Sequence, residues 1–138
     1  INYMNKSFLK IASLWGAFSE ALGAFGAHSL KGRLTVYAIE IFETALKYQF
    51  YHVFALLIVG ILYKDLPGKL LDWAGRLFIA GIILFSGSLY CLSIVKGKGI
   101  SGFDWLGAVT PFGGLCFIIG WILLFARVSK NPSSGVGF

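Results

Sequence analysis

The sequence has 138 residues, of which 57% are hydrophobic and only 13% are charged. Soluble domains carry about 25% charged residues, so this composition excludes an ordinary soluble domain or a disordered chain and points to a small integral membrane protein. The net charge of +6 does not indicate nucleic-acid binding, because most Lys and Arg residues lie between apolar runs, where membrane proteins carry them.

Four apolar stretches predict transmembrane helices over residues 8–28, 44–63, 74–95 and 103–126. A membrane-spanning helix needs about 20 mostly apolar residues. Three runs meet that length directly, and the second meets it if its helix begins near Leu46 or earlier. The connecting segments are short, which favours antiparallel neighbours. The predicted fold is an all-α membrane protein, with residues 1–138 forming one antiparallel up-down bundle of four transmembrane helices.

Small residues mark the predicted contacts between helices, because they let two backbones approach closely in lipid. The strip in the first helix consists of Ser13, Gly16, Ala17, Gly23, Ala24 and Ala27. Glu20 lies in the middle of this strip, so we expect it to face protein rather than lipid. Gly87 in the third helix and Gly113 and Gly120 in the fourth predict further contacts.

The second helix is predicted to be longer than the membrane. From Val36 to Tyr63 it would measure about 42 Å, against a hydrocarbon core of about 30 Å. Its first part, residues 36–47, is amphipathic, so we interpret it as an interfacial or protruding segment. Glu43 and Lys47 are four residues apart in this segment and predict an interfacial ion pair.

Pro111 interrupts the fourth apolar run, since a proline lacks the N–H of the helical hydrogen bond. Either the helix is kinked there, or a new helix begins with Thr110 as its N-cap. A helix of residues 112–125 alone would be about 21 Å long, which is too short to span. The sequence therefore favours a helix that begins near Phe103 and is kinked near Pro111.

Glu20, Gln49 and His52 are the polar residues deepest in the predicted bundle. Two interpretations remain open: a functional intramembrane site, or a hydrogen-bonded cluster that fixes the register of the helices. If the second helix enters the membrane near Thr44, Glu20 is level with His52, and a direct or water-bridged contact to His52 or Gln49 is expected. If it enters at Val36, a contact between Glu20 and Lys47 is expected instead.

The sequence has no catalytic triad, no pair of catalytic carboxylates and no phosphate-binding glycine loop, so we predict that the protein is not an enzyme. Its two cysteines, Cys91 and Cys116, lie inside apolar runs without zinc-site spacing. His28 and His52 lie at different predicted depths and make a poor haem pair. We therefore expect no metal and no cofactor.

Several motifs together resemble one family. They are Gly-Ala-Phe-Gly-Ala-His at residues 23–28, Glu-Thr-Ala at 43–45 with Tyr-Gln at 48–49, Phe-Ser-Gly-Ser-Leu-Tyr at 85–90, and Thr-Pro-Phe-Gly-Gly-Leu at 110–115. In this order they resemble the domain-of-unknown-function 423 family of small bacterial membrane proteins, which is similar to mitochondrial transmembrane protein 256. The resemblance runs from about Leu14 to Phe125. It implies a four-helix protein of the bacterial inner membrane and brings no activity with it.

Basic residues set the predicted orientation, because Lys and Arg favour the cytoplasmic side. The side that carries both termini has seven such residues: Lys6, Lys10, Lys64, Lys69, Arg76, Arg127 and Lys130. The other side has five, so both termini are predicted to be cytoplasmic.

Two functions follow from these features. The first is an accessory or structural subunit of a larger membrane assembly, because the interior of so small a bundle leaves little room for a translocation path. The alternative is a small oligomeric proton-linked transporter or channel that uses Glu20 and His52. The expected partners are membrane lipids and other membrane subunits, a homo-oligomer remains open, and no nucleic acid is expected.

Overall fold

The computed structural model describes residues 3–130, and these residues are helical throughout apart from short connections. Four helices follow one another: α1 (Lys6–Phe25), α2 (Val36–Leu62), α3 (Lys69–Gly97) and α4 (Trp105–Ser129). A π-helical turn, Gly26–Leu30, continues α1, and a second, Ile82–Ser86, lies inside α3. The predicted all-α fold is thus confirmed for the described residues, and the ends of the predicted domain, residues 1–2 and 131–138, lie outside them.

Polar caps set where the first two helices begin. The side chain of Asn5 accepts a hydrogen bond from the backbone N–H of Phe8 at 3.1 Å. Thr35 Oγ1 accepts one from the N–H of Ala38 at 3.2 Å. Each cap satisfies a backbone donor that the first turn of a helix leaves without a partner. As a result α2 begins at Val36, before the polar residues of its first turns.

Three of the helices, α2, α3 and α4, are long and apolar enough to cross a membrane. The remaining predicted span corresponds to α1, which has 20 residues and includes Lys6, Lys10 and Glu20. This helix, α1, is not among the three that are long and apolar enough to cross a membrane. The membrane character predicted from composition therefore rests on three apolar helices.

Successive helices meet start to end. The backbone N–H of Asn5, just before α1, donates to the carbonyl of Gly60 near the end of α2 at 3.0 Å. Ser93 Oγ, near the end of α3, donates to the carbonyl of Ala38 at the start of α2 at 2.6 Å. Arg127, near the end of α4, donates to the carbonyl of Pro67, just before α3, at 3.2 Å.

The apolar core lies where α2, α3 and α4 come together, with α1 adding its first turns. Its buried members are Phe8, Ala12, Val53, Ala55, Leu56, Val59, Leu71, Ala74, Phe78, Ile82, Phe117 and Leu124. Phe78 and Leu56 are the largest fully buried side chains. Between helices in lipid, such side chains stabilise the bundle through van der Waals packing rather than through removal from water.

The first turns of α2 pack along α3. Ser86 Oγ donates to the carbonyl of Ala45 at 2.8 Å, two helical turns from the bond that joins Ser93 to Ala38.

The predicted ion pair between Glu43 and Lys47 is not formed. Within residues 3–130 the one ion pair joins Lys96 Nζ to Asp104 Oδ1 at 2.7 Å.

Pro111 lies inside α4, which runs without a break from Trp105 to Ser129. The start of α4 agrees with the predicted start near Phe103, and no second helix begins at Pro111. The predicted kink at this residue stays a prediction.

Four of the small residues predicted to pack between helices lie close to a neighbouring helix: Gly16, Gly23, Gly113 and Gly120. A Cβ added at Gly113 would lie 2.8 Å from the backbone Cα of Phe85, and one at Gly120 would lie 2.7 Å from the Phe78 ring. These two glycines let α4 press against α3, since any side chain would overlap its neighbour.

Gly16 and Gly23 of α1 lie more loosely against α2, whereas Gly60 of α2 packs closely against α1, since an added Cβ would lie 2.8 Å from Leu9. A Cβ at Gly16 would lie 3.7 Å from Val53, and one at Gly23 would lie 3.4 Å from Leu46, which are nearly ordinary contact distances. Ala17 and Gly87 are not in close contacts. Ala17 is exposed, and a Cβ at Gly87 would meet nothing within 4 Å.

Candidate functional site

A buried polar chain joins three helices near the middle of the bundle. The side-chain nitrogen of Gln49 in α2 donates to Ser19 Oγ in α1 at 2.7 Å. The hydroxyl of Tyr90 in α3 donates to the amide oxygen of Gln49 at 3.0 Å. Ser19 in turn donates to the carbonyl of Trp15 at 2.7 Å. Because each member has a partner, the chain fixes the relative register of α1, α2 and α3.

His52 belongs to a second, separate network. Its Nδ1 lies 2.7 Å from the carbonyl oxygen of Tyr48, and the indole N–H of Trp121 donates to its Nε2 at 3.1 Å. A carbonyl only accepts and an indole N–H only donates, so Nδ1 carries the proton and Nε2 accepts. The imidazole is therefore neutral, with both nitrogens in use. Its ring stacks on Phe117, with centroids 3.4 Å apart.

Glu20 lies outside both networks, contrary to the prediction. It is exposed, whereas Ser19, its neighbour in sequence, is fully buried. The partners of Gln49 and His52 within residues 3–130 are other residues, and Glu20 bonds to neither. The reason is rotational. One residue turns an α-helix by about 100°, so the face that brings Ser19 to α2 turns Glu20 away.

An aromatic groove of about 800 Å³ opens between α2 and α4 beside His52. It is lined by Tyr48, Tyr51, His52, Phe54, Phe85, Gly114, Phe117, Ile118 and Trp121. Seven of these nine side chains carry an aromatic ring. A concave, mostly apolar surface of this volume with a few polar groups is typical of a small-molecule site.

The charged residues of α3 show how deep the polar residues lie along the bundle. Ser86 lies ten residues from both Arg76 and Lys96, the nearest charges on α3, so it is about 15 Å from each. The hydrogen bond from Ser86 places Ala45 of α2 at this same level. Ala45 therefore lies at the mid-level of an uncharged stretch about as long as a hydrocarbon core is thick.

Three charged side chains lie near this mid-level on the outside of α1 and α2. Glu43 and Lys47 are each two residues, about 3 Å, from Ala45, and both are exposed. Glu20 follows Ser19, which bonds to Gln49, four residues beyond Ala45. We call Glu20, Glu43 and Lys47 the charged face.

The charged face borders one shallow groove between α1 and α2. Glu43 and Ala27 both line this groove, which has a volume of about 110 Å³. Glu20 lies seven residues before Ala27, two helical turns, and so shares its side of α1. Lys47 lies one helical turn after Glu43 on the same side of α2. The three charged side chains thus lie along one seam between α1 and α2.

Comparison with known proteins assigns the chain to a family. The family described as "Protein of unknown function (DUF423)" matches residues 22–114. The chain belongs to the DUF423 family. This match confirms the resemblance that the motifs of the sequence indicated.

Curated relatives of this DUF423 chain are named as membrane proteins. UPF0382 membrane protein SAB0533 of Staphylococcus aureus (strain bovine RF122 / ET3-1) is 42% identical over 125 residues, which are 91% of this chain and 97% of the relative. UPF0382 membrane protein YwdK of Bacillus subtilis (strain 168) is 38% identical over 126 residues, 91% of this chain and 98% of the relative. No solved structure matches the chain.

The range matched by the family covers only part of each hydrogen-bond network of this DUF423 protein. Residues 22–114 include Gln49, His52 and Tyr90, but not Ser19 or Trp121. Three of the hydrogen-bonding residues, Ser19, Tyr90 and Trp121, were not predicted from the sequence. A tyrosine or tryptophan inside an apolar run does carry a signal, since its polar group needs a partner when it is buried.

Proposed function

We propose that this DUF423 protein is an accessory or structural subunit of a larger membrane assembly in the bacterial inner membrane, with both termini cytoplasmic. All four helices, α1 included, cross the membrane as an antiparallel up-down bundle. The start-to-end contacts of successive helices and the names of the relatives support this arrangement. Residues 36–47 then lie within the span of α2, and their polar side faces a partner.

The observation that carries the proposal is the charged face. A charged side chain at the centre of a bilayer costs about 2.5–3.5 kcal/mol on insertion scales, and such residues face protein or water rather than lipid. In this chain Glu20, Glu43 and Lys47 face outward at mid-level. A second membrane protein that covers this seam would remove the cost by supplying donors and acceptors.

The exposed side of α1 suits such a partner. Ser13, Ala17 and Ala24 flank Glu20 there and are exposed. Small side chains allow the backbone of another helix to approach within packing distance, which is how helices associate in lipid. The outer faces of α3 and α4 carry large apolar side chains instead, such as Ile83 and Phe125, and suit contact with acyl chains.

The interior of the bundle is used for packing. Within residues 3–130 every buried side-chain nitrogen or oxygen has a hydrogen-bond partner, so the buried side chains between the helices leave no polar group free to line a path through the bundle. This supports a structural role for the single bundle over transport through it.

Site-specific photo-crosslinking in native membranes tests the proposal. A photoreactive amino acid at Ala24 reports on the charged face, and one at Ile122, exposed on α4, is the matched control. We expect Ala24 to give one discrete protein adduct and Ile122 to give only lipid adducts. A Glu20→Leu change should weaken the adduct at Ala24.

The same experiment can overturn the proposal. Equal, diffuse labelling at Ala24 and Ile122 would show that the charged face has no protein partner. An adduct of twice the mass of the chain, with no other protein, would favour a homo-oligomer over an accessory subunit.

The homo-oligomer leads to the second candidate, a proton-linked transporter or channel. The observation in its favour is Glu20, a titratable carboxyl group on an outer face that copies of the chain would bring together. His52 contributes less, since both its nitrogens are engaged. Proton flux into liposomes with a pH-sensitive dye tests it. Flux that Glu20→Gln does not reduce would contradict it.

A further inference from the structure

The aromatic groove between α2 and α4 begins at the mid-level of the bundle and extends along α2 to Phe54, nine residues or about 13 Å beyond Ala45. Phe85, beside Ser86, lines its α3 side, and Gly114 lines its α4 side. The groove is open laterally rather than enclosed, so a molecule dissolved in the hydrocarbon layer reaches it without crossing water.

Two hydroxyl groups border this groove without a partner. Within residues 3–130, the hydroxyls of Tyr63 and Tyr90 donate to other side chains, whereas neither Tyr48 nor Tyr51 forms a side-chain hydrogen bond. Tyr48 and Tyr51 lie three and six residues from Ala45, about 5 and 9 Å from the mid-level and within the uncharged layer. Water is not available there as an acceptor, and an unmade hydrogen bond costs free energy. Each hydroxyl is therefore a hydrogen-bond donor that a bound acceptor would satisfy.

The walls of the groove are flat. His52 and Phe117 stack on each other with an interplanar angle of 7° and are buried, so they form the floor of the groove. Trp121, which meets His52 edge-on, is exposed at its side. The hydrogen bond from Trp121 holds the imidazole in place. Aromatic rings prefer to pack against other rings in stacked or edge-to-face geometry, so these walls favour a planar ring over a flexible chain.

We propose that the aromatic groove binds a lipophilic ring compound with carbonyl oxygens, a molecule of the quinone class. Its ring packs against the aromatic walls, its carbonyl oxygens accept hydrogen bonds from Tyr48 and Tyr51, and its apolar tail extends into lipid. A volume of about 800 Å³ accommodates such a ring with part of a tail. The proposal is independent of the accessory role, because the groove and the charged face lie on different helix pairs.

Fluorescence quenching by decyl-benzoquinone in reconstituted nanodiscs tests it, since quinones quench tryptophan. One variant keeps Trp121 as its single tryptophan, with Trp15, Trp73 and Trp105 replaced by Phe. The matched control has no other tryptophan than the one made by Ile122→Trp, one residue away at the same depth but outside the groove. We expect saturable quenching for Trp121 and only linear, collisional quenching for the control.

Two further variants separate the contributions of the ring site and the hydroxyls. Gly114→Leu fills the groove and should abolish saturation. Gly107→Leu on the same helix, where an added Cβ meets nothing within 4 Å, should leave it intact. Tyr48→Phe and Tyr51→Phe should each weaken binding about fivefold, the effect of one lost hydrogen bond.

Each outcome decides the proposal. Linear quenching of both tryptophans means that the quinone only partitions into the bilayer and overturns it. Saturation that Gly114→Leu abolishes but both Tyr→Phe changes leave unaltered means an unspecific apolar groove, and it overturns the carbonyl assignment. If Gly114→Leu does not fold, Ile118→Phe, with Ile122→Phe as its control, fills the same groove from its rim.

Discussion

The two helices of the α1–α2 pair and those of the α3–α4 pair are held together by different contacts. Glycines of α3 and α4 press against aromatic rings and backbone so closely that an added Cβ would overlap them, as at Gly113 and Gly120. Between α1 and α2 the nearest atoms belong to side chains instead. An added Cβ would lie 2.8 Å from Leu9 at Gly60 and 3.7 Å from Val53 at Gly16, and a hydrogen bond from Gln49 to Ser19 adds to these contacts.

The two pairs differ as clearly on their outer surfaces. Residues 77–95 and 105–126, which form most of α3 and α4, contain no charge, whereas α1 and α2 carry the charged face at the same level. A tightly packed hairpin with an apolar exterior needs only lipid around it. The pair with outward charges is the one for which we propose a protein neighbour. The difference locates the expected partner surface on α1 and α2.

The largest effect is expected in the α3–α4 contact. Gly113→Ala places a Cβ 2.8 Å from the backbone Cα of Phe85, and backbone cannot move aside as a side chain can. Overpacking of this kind costs about 1–3 kcal/mol, and we expect the upper part of that range, measured as a lower melting temperature in detergent. Gly114→Ala, whose Cβ would lie 3.9 Å from Phe85, is the control and should be neutral. Equal losses would show that the close approach to the backbone of Phe85 is not what makes Gly113 sensitive.

The next effect concerns the polar chain that links both pairs. Gln49→Leu removes the acceptor of Tyr90 and the donor to Ser19, leaving two buried hydroxyls each short of a partner. We expect a loss of about 1–2 kcal/mol in the free energy of unfolding. Thr44→Val, which removes only a bond to the carbonyl of Glu40 in the same helix, should change the melting temperature little. No difference between the two variants would contradict a linking role for Gln49.

A smaller loss is expected in the α1–α2 contact. Gly16→Leu must displace the side chain of Val53, which a Cβ alone would only touch at 3.7 Å. Because a side chain can shift, we expect about 1 kcal/mol, at the low end for overpacking. Phe18→Leu, on the exposed side of the same helix, should be nearly silent in the same thermal melt. A loss at Phe18 as large as at Gly16 would mean that the wrong face of α1 is assigned to α2.

The smallest effect is expected at the connection between α3 and α4. Lys96 and Asp104 form an ion pair at 2.7 Å, but the Asp104 side chain is 81% exposed. Water and salt screen such a pair, so Lys96→Gln should leave the melting temperature unchanged within error, and added NaCl should not alter wild type. A clear, salt-dependent loss would show that this connection, and not only the glycine contacts, holds the α3–α4 pair together.

The sequence by itself determined the helical class, the membrane character and the approximate helix positions. Long apolar runs between charged residues leave an α-helix as the one way to satisfy the backbone in lipid. The resemblance of the motifs at residues 23–28, 43–49, 85–90 and 110–115 was enough to find the family. Gly113 and Gly120 share one helix face in the sequence, and such a pattern favours the close approach of a second backbone.

The tertiary structure alone decided which polar residues meet. The small-residue strip of α1 is wider than the face that α2 covers, so the sequence left the rotation of α1 open. A rotation of about 100° exchanges Ser19 for Glu20 against Gln49. His52 finds its partner in Trp121, 69 residues further along the chain. No local pattern encodes that bond, because it exists only once α3 has packed against both α2 and α4 and set the distance between them.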